Sequence, residues 1–299
     1  MRQLRSRSLF AGAVTLVLVL TAGTTQALAF TTSVYWDNSA NVGAGPSPFN
    51  ATFTGHDDTA AGPSMMQALT SGSYNTASGS SALGADTTGN LNAATGWFAL
   101  SANTTGGENT ATGEEALQHN TNGFSNTATG ALSLRYNTSG NYNVADGYGA
   151  LFDTRGNHNV ATGYDALLAN DSGDANLAMG DQALDSNTTG NSNVAIGANA
   201  GTNLTTGSNN VDIANPGVAG ESGTIRIGGA SQNRLFLHGV YANRLNGRTM
   251  VINAAGRLGT APGSAAPSGQ AQRISRLRGR VSQLAGEVRR LQVEVRRGG

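Results

Sequence analysis

The sequence predicts an all-β chain: a parallel β-solenoid of about 17-residue coils, then a short β neck and a C-terminal coiled-coil helix. Three observations lead there. Two glycine series keep fixed phase over half the chain. Small apolar and polar residues alternate between those glycines. Of 299 residues, 42 are Gly and only 6% are aromatic, too few large side chains for an ordinary globular core. Disorder is the competing reading of such a composition, but disordered chains do not hold a strict apolar period.

The first glycine series is Gly62, Gly79, Gly96, Gly113, Gly130, Gly147, Gly163, Gly180 and Gly197, with every step seventeen residues except Gly147 to Gly163, which is sixteen. A second glycine stands seven residues before each, from Gly55 to Gly190. The unit is N-[TV]-A-x-G-x-x-A-L-x-x-N-x-x-G-x-x. Helix-pair repeats need more than about thirty residues, so this period is too short for them. The spacing predicts two short strands per coil, each closed by a turn where Gly supplies positive φ. Alternation in YNVADG and SNVAIG supports strands between the turns.

Aligned columns predict which side chains turn inward. Ala stands two before the first-series Gly in every unit, and in six of the nine units Ala-Leu stands three and four after it, as in Ala99-Leu100, Ala116-Leu117 and Ala183-Leu184. Asn stands four before the Gly from Asn75 to Asn193 and recurs seventeen residues on at Asn210, so stacked coils would align these amides into a ladder. One Leu per coil is a thin core. Backbone ladders and a partner's surface are expected to carry much of the stability, which argues for an oligomer.

The segment NSNVAIGANAG, residues 191–201, resembles the head repeats of YadA-type trimeric adhesins, and the NTATG-x-x-AL units resemble a variant in tail-fibre-like secreted proteins. The resemblance covers residues 55–213 and implies a left-handed parallel β-roll in which three chains associate side by side. The units here are longer than the adhesin unit.

The flanking segments complete the organisation. Residues 1–29 are expected to be a signal peptide: Arg2, Arg5 and Arg7, an apolar run, then Ala27-Leu28-Ala29 as a cleavage site. Residues 30–54 form an N-terminal segment, 55–214 the β-roll, 215–260 the neck, 261–272 a flexible linker and 273–297 the coiled coil. Pro216-Gly217 is expected to end the solenoid. The neck segments TIRIG, RLFLHGVYA and TMVINAAGRLGT read as short strands, and they resemble the neck preceding endosialidase-type intramolecular chaperones, which cut themselves off with a Ser-Lys pair. The chain contains no lysine, so that dyad cannot form. In the tail, Ile274, Leu277, Val281, Leu284, Val288, Leu291 and Val295 alternate at three and four. β-Branched a positions with Leu at d favour two strands, whereas the roll resemblance favours three; three is the expectation taken here.

Candidate sites are sparse. His56, His119, His158 and His238 occupy different columns or lie outside the roll, so no metal site is expected. No cofactor loop or nucleophile elbow stands in a strand-helix context, so neither a cofactor nor an enzymatic activity is expected. Asn50, Asn103, Asn137, Asn170, Asn187 and Asn203 satisfy N-x-[ST], a pattern the repeat itself generates. Trp97, Phe98, Tyr148 and Tyr164 follow a turn Gly in a variable column and form a possible ligand surface for a protein or glycan. Thr110-Ala111-Thr112 and Thr127-Ala128-Thr129 set threonines in two columns, the pattern of an ice-binding solenoid, but the columns turn apolar by Val194-Ile196.

The expectation is thus a secreted, non-enzymatic fibrous protein, extracellular or attached to a cell surface. It would be a homotrimeric adhesin-like or surface-structural module, with a tail-fibre-like assembly component as the alternative. No nucleic-acid partner is expected, nor any membrane span in the mature chain.

Overall fold

The computed structural model describes residues 14–15, 33–37, 39–45, 49, 53–232, 250–252, 258–260 and 268–297. It divides into two units, residues 1–233 and 234–299. The first is a parallel β-solenoid. Its twelve strands are β3 (Val42–Ala44), β4 (Thr59–Ala61), β5 (Thr76–Ser78), β6 (Ala93–Thr95), β7 (Thr110–Thr112), β8 (Thr127–Thr129), β9 (Val144–Asp146), β10 (Val160–Thr162), β11 (Leu177–Met179), β12 (Val194–Ile196), β13 (Val211–Ile213) and β14 (Ile225–Ile227). Each pairs in register with the next, so Thr110 faces Thr127 and Ala111 faces Ala128. At about 4.8 Å per strand the stack is about 50 Å long. At its N-terminal end β1 (Val14–Thr15) and β2 (Ser33–Trp36) add antiparallel. Apart from Val14–Thr15, the expected signal peptide lies outside the described residues.

The middle residue of each strand from β3 to β13 is buried. Ala111, Ala128, Ala145 and Ala161 are fully buried, and so are Ala116-Leu117, Ala150-Leu151 and Ala166-Leu167 from the opposite side of the coil. The inferred core columns are therefore the core. In the first full coil Met65, Met66 and Leu69 take the places of Ala, Leu and Asn, with the Phe49 and Phe53 rings packed against that end.

Each coil has one regular strand, not two. In the second stretch the residues two and four after the turn Gly are left-handed, as at Glu115 (φ 53°) and Leu117 (φ 52°). Coil-to-coil bonding continues there without strand geometry: Leu117 N–H donates to the Ser133 carbonyl at 3.0 Å, and His119 N–H to that of Arg135 at 2.9 Å. The two glycine series also differ in cause. Gly113 has φ 140°, which L side chains rarely adopt. Gly106 is not left-handed; a Cβ there would lie 2.4 Å from both Asn103 Oδ1 and the Gly123 carbonyl oxygen. That position needs Gly for close approach.

The sheet also runs past the repeat. Val42–Ala44 pairs with β4, and Ile225–Ile227 pairs with β13, so Pro216-Gly217 lies within a further coil instead of ending the solenoid. In the second unit, β15 (Met250–Ile252) and β16 (Leu258–Thr260) form an antiparallel pair, and α1 spans Ser268–Arg297. The helix thus begins five residues inside the segment assigned to the linker. The RLFLHGVYA segment, the expected linker residues 261–267 and His238 lie outside the described residues.

Candidate interaction surfaces

Two asparagine columns of the repeat face inward and hold coil to coil. Asn126 shows the pattern: its Nδ2 donates to the Gly140 carbonyl at 2.8 Å and its Oδ1 accepts the Asn143 N–H at 3.0 Å. Every Asn of this column from Asn75 to Asn210 is buried, as the ladder expectation required. A second buried column stands seven after the turn Gly, where Asn120 Nδ2 donates to Asn103 Oδ1 at 2.8 Å and to the Gly123 carbonyl at 2.9 Å. Beside it, threonine hydroxyls climb the stack, Thr104 Oγ1 donating to the Thr121 carbonyl at 2.8 Å. Of the N-x-[ST] asparagines, Asn103, Asn137, Asn170 and Asn187 stand in this second Asn column and are fully buried, while Asn203 is exposed. Asn50 lies outside the described residues.

Three acids interrupt the buried columns. Asp58 stands in the first Asn column, and its Oδ2 has no hydrogen-bond partner among the described residues. Asp86 stands in the second and accepts the Gly89 N–H at 2.9 Å. Burial pushes the Asp58 carboxyl up to about 6 and that of Asp86 up to about 7, against partial compensation by their hydrogen bonds. Asp212 replaces Ala in β13, and neither of its oxygens has a partner among the described residues. Burial and then Glu221 raise it to about 6, opposed by Arg226. Arg226 is opposite Asp212 in β14, but its guanidinium donates to Glu221, with Nε to Oε1 at 2.8 Å.

On the outside, the expected aromatic surface is two separate pairs. Trp97 and Phe98 meet edge to face at 4.7 Å on one coil. Tyr148 and Tyr164 stack at 5.4 Å on adjacent coils, and Asp165 holds the Tyr164 hydroxyl above its ordinary range. Glu114 and Ala131 stand between the pairs in the same column, so the stripe is broken. Sequence reasoning missed a denser cluster. Tyr136 stacks on His119 at 4.8 Å and meets Phe152 at 5.0 Å. Arg135 lies 5.0 Å over the Tyr136 ring and pairs with Glu115 at 2.8 Å. The available signal was offset: His119 and Tyr136 both stand six after a turn Gly. His56 and His158 join other rings, at Tyr74 and Tyr142.

The outward residues of the strands change character along the stack. From β4 to β8 they are Thr, Ser and Ala, with Thr95, Thr110, Thr112, Thr127 and Thr129 all exposed. From β11 to β14 both outward columns are apolar: Leu177, Val194, Val211 and Ile225 in one, Met179, Ile196, Ile213 and Ile227 in the other. Met179 is 44% exposed, Ile225 70% and Ile227 51%. Eight apolar side chains on four neighbouring strands form a contiguous patch of the kind that marks an association surface. The threonine columns therefore give way within the same face. On α1, Leu277, Val281, Leu284 and Val288 are all more than half exposed. The side chains of Ile274, Leu291 and Val295 lie outside the described ones.

Among the described residues no group of three or more His, Asp or Glu is placed to hold a metal ion, and no helix is long and apolar enough to cross a membrane. Comparison of the chain with protein-family models, curated proteins and solved structures finds no match.

Proposed function

We propose that this chain is a secreted, non-enzymatic fibrous protein whose copies associate into a surface-structural or adhesin-like module. The observation that carries this reading is the apolar patch on β11–β14: a sheet face kept polar over the earlier coils becomes Val, Leu, Ile and Met over the later ones. Burying a Val, Leu or Ile that water now covers contributes about 1.5–3 kcal/mol each. The apolar seam of α1 supports the same reading, since a single helix has nowhere in itself to bury it. Use as a fibre is supported by the buried polar columns that serve stacking.

The test is the mass of the chain from residue 30 onward, by light scattering over a dilution series, beside Val194→Asp. An oligomer whose dissociation shifts to higher protein concentration in the variant supports the proposal, and the mass itself reads the number of copies, three by the resemblance. A monomer at every concentration would sink it.

A further inference from the structure

The charges beside the α1 seam distinguish the two ways in which copies of the helix can pair. With Ile274 at a, the g positions are Arg273, Arg280, Glu287 and Glu294, and the e positions Ala271, Arg278, Ala285 and Gln292. A parallel pair sets each g against the partner's following e. That arrangement opposes Arg273 to Arg278, Arg280 to Ala285 and Glu287 to Gln292, so it contains one repulsive contact per side and no attractive one. An antiparallel pair sets g against g. The g row then reads as its own complement: Arg280 meets Glu287 and Arg273 meets Glu294, each twice.

The apolar layers permit this arrangement. Read antiparallel, a faces d, which gives Ile274 with Leu291, Leu277 with Val288 and Val281 with Leu284. Only Val295 loses an apolar partner, facing Gln270, and it stands two residues from the helix end, where fraying is greatest. Arg280 and Glu287 are exposed on the described helix, and a shallow groove between Leu277 and Val281 offers a hole for a partner's side chain. We infer that α1 pairs antiparallel with α1 of a second copy of this chain, held by the Val281–Leu284 layers and fixed in direction by Arg280 against Glu287. The inference rests on the self-association proposed above but not on a count of three; it makes the helical contact two-stranded. The N-termini of the two helices then lie at opposite ends of the pair.

The native chain has no cysteine, so a single introduced one carries a unique spin label. In Ser282→Cys of the full chain, labels of an antiparallel pair sit side by side. In Ser275→Cys they are offset along the axis by roughly 22 Å. Short distances in both variants mean parallel helices and overturn the inference while leaving self-association intact. A monomer overturns both, whereas a trimeric mass overturns the antiparallel pairing and leaves self-association standing. Charge exchange gives a second readout. Arg280→Glu and Glu287→Arg are each expected to weaken association roughly tenfold and the double variant to restore it. In a parallel pair neither position faces a charge, and unchanged association in both single variants would overturn the assignment.

Discussion

Asp86 occupies a place that asparagine fills in the coils above it, and it is buried where an ionised carboxylate is poorly solvated. Its folded value near 7 lies above the usual carboxylate range, so the folded state binds the proton more tightly than the unfolded one. Stability from this group is complete below pH about 4 and is lost as pH rises towards 7, by an amount on the order of a few kcal/mol. Asp58, raised to about 6, acts in the same direction. Asp86→Asn restores the amide column, and it is expected to raise Tm at pH 8 and to flatten the fall between pH 5 and 8; melts of both proteins across that range check it. The Asn columns themselves were legible, because identical residues at a fixed period have a mechanical reason to be identical. The left-handed backbone at Glu115, Leu117 and their counterparts was not. Neither residue type favours positive φ, at a cost of about 1 kcal/mol or more each, so closure of the coil imposes what local preference opposes.

Glycines separate the two kinds of element. On α1, Gly279 and Gly286 have nothing within 4 Å of the place a Cβ would take. Gly279→Ala and Gly286→Ala are each expected to stabilise the helix by about 1 kcal/mol, seen as a higher midpoint in its far-ultraviolet melting. In the solenoid, Gly113 has φ 140° and a Cβ there would lie 2.5 Å from the Gly130 carbonyl oxygen. Gly113→Ala is expected to destabilise by an amount on the order of 3 kcal/mol, measured by the same melts. The period revealed where these turn glycines fall, and the heptads revealed the helix. The period did not reveal that the two glycine columns are needed for different reasons, since both causes leave the same letter. Nor did it show the coil at Ile225–Ile227, which joins by backbone register while lacking most of the phrase, whereas Asn41 and Gly45 keep phase around Val42–Ala44 and were passed over.

A stack of coils bonded only to their neighbours is modular along its length. Excising the seventeen residues Glu114–Gly130 joins Gly113 to Ala131 with every column in phase. The shortened chain is expected to keep its β spectrum and cooperative melting, whereas removing only Glu114–Thr121 breaks phase and abolishes both; circular dichroism decides between them. Outside the stack, legibility fell: aromatic residues were visible, but which of them touch depends on offsets around the coil, and the His119–Tyr136–Phe152 cluster was passed over. Modularity also carries a hazard, since a chain of near-identical phrases can close one phrase out of place and still match Gly to Gly and Asn to Asn. The sixteen-residue step from Gly147 to Gly163, with Thr154 in the Asn column, is unlike every other step of the repeat; among the described residues Asn137 Oδ1 beside it has no donor, as Asn187 Oδ1 has none further on. A mis-threaded chain crossing it falls one residue out of step, which turns core side chains to water. The one shortened coil thus gives an otherwise self-similar stack a single fixed mark against which its register is set.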